Sequence, residues 1–374
     1  MSSAPTQEPA PAARRRRPWR LFGAAAFLLL VVALVAGGIL LRHELDTSRL
    51  QAREIARFAA RLDYERIAGP SEAVRYPQHG PFDQRLGYTE LPRFIERLGA
   101  RGFALTTQTR FSDALLDYVG QGFFPPYREK ARAGLDVLDC RGDALYDFRY
   151  PYRGYASFEA VPPVVAEALL FIENRGLLDE SRPLLNPAVD WVRFARAALG
   201  QLGRMVSADL DAPGGSTLAT QIEKYRHSPD GITHDAREKL RQMVSASVRA
   251  YREGEHTLPV RRQLVLDYLN TVPLSAAPGH GEVNGVGDGL WVWFASDFER
   301  VNALLSAPEA LDEPETLQAQ GMALRQMVAL MIAHRRPSWY LMGGREVLTR
   351  TTDAYLRLLA WRQPPAADAG LWQR

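Results

Sequence analysis

Residues 213–226 hold the densest set of groups able to do chemistry, reading Pro-Gly-Gly-Ser-Thr-Leu-Ala-Thr-Gln-Ile-Glu-Lys-Tyr-Arg. The two glycines permit backbone geometry closed to other residues. Ser216 and Thr217 are suited to cap a helix whose first turn presents free N–H groups, a start that accepts anions. Gln221 and Lys224, three apart, share one face of that helix and set a neutral donor beside a cation. Glu173 closes an apolar run at 164–172 and so stands at the edge of a core, a place for a general base. Plainer readings stand beside these: a capped surface helix, and a helix-end glutamate paired with Arg175. A helix expected over 235–251 adds Arg237, Lys239, Arg241 and Arg249, positive charge that complements phosphate or else forms a solvated face.

Other chemistries find less support in the residue types. His227 and His234 are separated by six residues, no ligand spacing for one helix, so no metal site is expected there. Cys140 is the only cysteine, which excludes an internal disulfide and a cysteine-based metal cluster. Gly281, Gly285, Gly287 and Gly289, in a glycine-rich loop expected over 278–289, follow no strand and fit a dinucleotide fingerprint poorly. Gly214-Gly-Ser-Thr lacks the lysine of a phosphate-binding P-loop, and no Gly-x-Ser-x-Gly elbow occurs. His79, in a turn region, reads as structural or exposed.

The elements that must position these groups follow in chain order. Residues 1–20 read as a disordered tail, and Arg14–Arg17 and Arg20 against Glu8 give it +4. The whole chain carries +3, so the remainder is at −1 and shows no basic face for nucleic acid. The run at 21–41 has no charge and about 20 residues suffice for a bilayer core, so it should span, with the arginines keeping the N-terminus in the cytoplasm. Residues 42–70 read as a helical stalk ended by Pro70. From 71 to 155 the texture is a small α+β module, with two short strands around the Arg141-Gly-Asp143 turn. After it the chain turns helical, with helices expected over 164–172, 189–202 (carrying Arg193 and Arg196), 235–251, 316–333 and on to about 361, and with a short apolar run at 264–269.

Taken together, the pieces resemble the family 51 glycosyltransferases, peptidoglycan polymerases found as the transglycosylase domain of class A penicillin-binding proteins and as monofunctional enzymes. Leu170-Phe-Ile-Glu173-Asn-Arg resembles the family's Glu-Asp-x-x-Phe motif, and Gly214-Gly-Ser-Thr-Leu-Ala-Thr-Gln-Ile-Glu-Lys224 its Gly-Gly-Ser-Thr-x-x-Gln-Gln-x-x-Lys. Asp267-Tyr-Leu-Asn270 and Arg336-Pro-Ser-Trp-Tyr340 follow in the family's order. Asn174, Leu177 and Thr220 depart from the pattern, the His-x-Gly is replaced by a longer loop at 179–187, and an insertion falls around 254–259. Gln242 stands where the Arg-Lys-x-x-Glu motif has its second carboxylate.

The resemblance implies a mainly α, lysozyme-like transglycosylase domain over 156–362, behind the transmembrane helix and the small α+β module. It implies a protein of the bacterial cytoplasmic membrane, single-pass, with its body on the outer face, that polymerises lipid II into glycan strands. Glu173 would be the general base. Ser216, Thr217, Gln221, Lys224, Arg237, Lys239 and Gln242 would hold sugar and pyrophosphate. No cofactor is required by the residues, and a divalent cation, Mg or Mn, enters only as the resemblance allows it; cell-wall synthesis proteins are candidate partners. The rival readings are a degenerate transferase that binds lipid II or a wall partner without turnover, and a lytic hydrolase. No Ser-x-x-Lys with Ser-x-Asn and Lys-Thr-Gly occurs, so cross-linking is not expected.

Overall fold

The computed structural model describes residues 19–77, 80–191, 216–306 and 314–362. His79, Gly214, Gly215, Arg14–Arg17 of the N-terminal tail and the helix expected past Trp191 lie outside them. The described chain is mainly α and falls into two compact units, one ending at Thr47 and the other beginning at Ser48.

The first unit contains α1 (Trp19–Thr47), whose stretch Ala25–Thr47 is long and apolar enough to cross a membrane. The helix outlasts the uncharged run because its last turns add their own support: Arg42 pairs with Asp46 at 3.9 Å, and the Thr47 hydroxyl donates to the His43 carbonyl at 2.8 Å.

In the second unit the expected 42–70 stalk is not one element. Ser48 takes a left-handed conformation (φ 55°), then α2 (Arg49–Ala59) begins, and β1 (Tyr64–Ala68) pairs antiparallel with β2 (Thr107–Phe111). A stripe of Ala52, Ile55 and Ala59 at helical spacing explains why α2 is drawn into the body and not held out as a stalk. Ala59 joins Leu62, Phe111, Leu115, Tyr118 and Val248 in a small core. Between the strands lie α3 (Pro81–Arg85) and α4 (Leu91–Gly99), and α5 (Asp113–Gly120) follows β2. The hairpin read at 137–148 is present as β3 (Ala133–Leu138) and β4 (Ala144–Tyr150). Asp139 shapes its turn, its carboxylate accepting from the amides of Arg141 (2.8 Å) and Asp143 (2.9 Å). Residues 71–155 thus have the α+β content expected, but they pack within the same unit as the helices that follow.

The main core is built from α6 (Pro163–Glu173), α7 (Leu218–His227), α8 (Ala236–Ala250), α9 (Leu258–Thr271), α10 (Gly285–Phe294), α11 (Phe298–Ser306), α12 (Pro314–Ala333) and α13 (Arg345–Arg362). Val165, Leu169, Ile222, Val265, Leu269, Leu290, Met327 and Leu330 are buried together there. The apolar run at 264–269 is the centre of α9. The glycine-rich loop expected over 278–289 is instead a hairpin, β5 (Pro273–Ala277) with β6 (Gly281–Asn284), leading directly into α10. Close packing overrides the helix-breaking tendency of glycine here: a Cβ on Gly289 would stand 2.6 Å from Leu274 Cδ1 and 3.0 Å from Leu330 Cδ1. Gly285 has φ 76°, and a Cβ there would meet the Asn270 backbone.

Candidate active site

Glu173 is the last residue of α6, where the apolar face that docks the helix carries the final side chain into the body; it is buried, only 7% exposed. Its Oε2 accepts a hydrogen bond of 2.6 Å from Gln221 Nε2, and the Arg335 guanidinium lies 3.7 Å from Oε1. Arg175, the partner considered from sequence, instead donates to the Phe171 carbonyl and stacks over the Phe171 ring at 4.1 Å.

The helix that presents Gln221 is closed at its start by threonines. Thr217 is the N-cap, its hydroxyl accepting from Thr220 N at 3.3 Å, while Thr220 Oγ1 accepts from Thr217 N at 3.0 Å. That reciprocal box satisfies two of the N–H groups the first turn leaves open. Thr220, a departure from the family pattern, therefore has a local task. Thr217 is itself buried and also donates to the Ala188 carbonyl (3.2 Å), so its hydroxyl is committed to the scaffold.

Lys224, one turn beyond Gln221, is held below the usual lysine range by burial, partly offset by the charge of Glu173. Lys239, on α8, is brought down to about 8 by burial and by the neighbouring charge of Lys224. Its ammonium donates to Ser216 Oγ at 2.8 Å. Two half-buried cations side by side, with Ser216 between them and the helix start, form a pair whose mutual repulsion a bound dianion would relieve.

Arg237 and Gln242 do not join this group. Arg237 is exposed, and two residues before Lys239 it lies roughly 200° around α8 from the side facing Ser216. Gln242 is fully buried, its amide donating to Ser228 Oγ (3.0 Å) and Thr233 Oγ1 (2.9 Å) and its carbonyl accepting from Thr233 (3.2 Å). Beside it Glu238 accepts from Ser228 Oγ (2.6 Å) and pairs with Arg241 (2.7 Å). Gln242 thus fastens the loop between α7 and α8.

Three groups near Glu173 were not singled out from sequence. Arg335 directly precedes the Arg336-Pro-Ser-Trp-Tyr340 turn. Tyr268 hydrogen-bonds His334 Nδ1 at 2.9 Å, and its phenol is pushed well above its ordinary value by burial and by the charge of Glu173. His334 is brought down to about 3 by burial and by Lys224 and Arg335, so it is neutral. The Tyr-Leu-Asn triplet was the available signal for Tyr268; its Asn270 binds the Tyr155 amide and carbonyl, both at 2.8 Å, and serves as a structural clip.

A divalent cation does not fit beside Glu173. Among the described residues Lys224 and Arg335 are positive neighbours of that single carboxylate, and they would repel the cation. A second cluster, Asp83, Glu129 and His227, has ligand-type side chains within reach of one another. Here His227 Nδ1 meets Asp83 at 2.8 Å and Nε2 meets Glu129 at 3.0 Å. Burial opposes its charge, but the carboxylates hold its pKa up at about 9, so in the arrangement seen both nitrogens carry protons and donate to the two carboxylates.

The architecture is that of a mainly α transglycosylase domain following an N-terminal apolar helix. The family model described as Transglycosylase matches residues 141–358, more than half of the chain, and the chain belongs to that family. Membership carries a glycosyltransferase-type function directed at peptidoglycan, and the N-terminal helix is long and apolar enough to serve as a membrane anchor. No curated protein matches the chain.

Proposed function

We propose that this protein is a membrane-anchored peptidoglycan glycosyltransferase that polymerises lipid II, with Glu173 as the general base. The observation that supports this reading best is the buried Glu173 carboxylate, oriented by Gln221 at 2.6 Å and flanked by Lys224. In the proposed reaction Glu173 takes the proton of the acceptor sugar hydroxyl. That oxygen attacks the anomeric carbon of the growing chain, and undecaprenyl pyrophosphate leaves. Base catalysis of this type contributes roughly 10²–10⁴-fold. Lys224 and Lys239 take the charge developing on the pyrophosphate, and Ser216 orients Lys239. Thr217 acts through the helix start, and Arg237 and Gln242 are assigned outside the reacting centre. α1 anchors the chain with its N-terminus in the cytoplasm and the body on the outer face, beside the lipid tail of the substrate.

Binding without turnover is the second reading, and the observation in its favour is Gln242, an amide at the position of the family's second carboxylate. Incubating the detergent-solubilised chain with labelled lipid II separates the two. Moenomycin-sensitive glycan polymer supports the polymerase, and lipid II bound but unchanged supports the binder.

A further inference from the structure

Beside Gln221 and Lys224, α7 also carries Glu223, Arg226 and His227 into a buried charge cluster. Arg226 lies 3.3 Å from Asp267 and 3.5 Å from Glu129, and donates to Thr271 Oγ1 at 3.2 Å. Arg249 of α8 pairs with Glu223 at 2.6 Å and lies 3.8 Å from Glu129. Asp83 and Glu129 take the two nitrogens of His227. Burial alone would raise the Glu129 carboxyl, but His227, Arg249 and Arg226 override it and hold it down at about 2.

Asp83 and Glu129 are outside the residues that match the family; the three cations and the other two carboxylates are inside them. Without Asp83 and Glu129, the matched region would bury Arg226, His227 and Arg249 against Glu223 and Asp267 alone. A buried charge left without its partner costs about 3–5 kcal/mol. The backbone contact is equally tight. A Cβ on Gly80 would overlap the Arg226 carbonyl and the His227 Cα, so only glycine lets α3 seat against the end of α7. Phe82 adds its ring beneath the Arg226 guanidinium at 4.6 Å.

We propose that the segment Gly80–Arg85, with Glu129, is a positioning element for α7: it completes the buried charge at the end of that helix and so fixes the rotation at which Gln221 meets Glu173 and Lys224 faces Lys239. Asp83 and Glu129 are then positioning residues that touch no substrate. Residues N-terminal to the family match belong to the working site because α7 transmits their placement over a turn and a half, from His227 back to Gln221. The kinetic part of the proposal rests on the polymerase reading above.

The test compares Glu129→Gln and Gly80→Ala with Leu305→Ala, a core truncation on α11, all in the full detergent-solubilised chain. Each is assayed for lipid II polymerisation, for thermal midpoint and for amide hydrogen exchange. Misplacement of a reacting group by about 1 Å can cost up to 10²-fold, so Glu129→Gln and Gly80→Ala are expected to lower kcat by at least tenfold with KM changed less than threefold. Exchange is expected to rise selectively across 218–228. Leu305→Ala, with a comparable loss in thermal midpoint, is expected to keep its kcat. The proposal is overturned if kcat follows thermal midpoint alike in all three variants, or if α7 exchange is unchanged in Glu129→Gln. Should the unmutated chain make no polymer, the polymerase reading fails, and the exchange measurement alone decides whether the segment holds α7.

Discussion

Protonated His227 sets an alkaline limit on stability, and its size follows from its surroundings. Its pKa is about 9 in the folded chain against 6.5 in an exposed histidine. A folded-state pKa above the unfolded one means the stabilising charge is fully present below about pH 6.5 and lost as pH rises through about 9. The 2.5-unit difference corresponds to about 3 kcal/mol for this fully buried group. On the acid side Glu129, held down to about 2, contributes above the ordinary carboxylate range and loses its contribution only as pH falls toward 2. Both contributions are therefore intact near pH 5.5. The perturbation is His227→Gln, which keeps hydrogen-bonding reach and removes the charge. At roughly 2 °C per kcal/mol for a chain of this size, the variant should melt about 6 °C below the wild type at pH 5.5, and the gap should close by pH 9.5. Tryptophan fluorescence during heating of the solubilised chain reads both midpoints. A gap that stays constant between the two pH values would refute the protonated, ion-paired His227.

The remaining predictions rest on the site and its scaffold. Lys239, with its pKa brought down to about 8, should make lipid II affinity fall as pH rises through that value. Lys239→Met should weaken binding about tenfold and flatten the profile, as measured by a labelled-substrate titration. Thr217→Ala removes the cap of α7 and should cost about 1–2 kcal/mol in unfolding free energy, measured by chemical denaturation. Gly289→Val should lower the thermal midpoint by several degrees, because the new side chain overlaps Leu274 and Leu330.

The elements that a single periodicity or turn rule determines were legible in the sequence. The run read at 164–172 is α6, Pro163–Glu173; the helix read at 316–333 is α12, Pro314–Ala333; and the hairpin at 137–148 closes through Asp139 as its turn residues require. The Gln221 and Lys224 face was legible too, because three-residue spacing on a helix needs no tertiary information. What pairs with that face was not. Gln221 meets Glu173 across 48 positions, and Asp83 meets His227 across 144, contacts that no local pattern encodes. His227 was weighed only against His234, its neighbour in sequence, whereas its partners come from α3 and Glu129. The glycines at 285–289 read as a loop because glycine disfavours helix; packing against Leu274, Leu330 and the Asn270 backbone outweighs that preference. Thr220 and Gln242 looked like losses from a binding motif, and in the structure they close a helix and fasten a loop.

Glu173→Gln, compared with the unmutated chain in one lipid II assay, tests the proposed mechanism most directly. Glutamine preserves the size of the side chain and the hydrogen bond to Gln221 but cannot take a proton. The mechanism predicts that the variant binds labelled lipid II with unchanged affinity and forms glycan polymer at least 10²-fold more slowly. Polymer formed by Glu173→Gln at the wild-type rate would contradict the assignment of the general base.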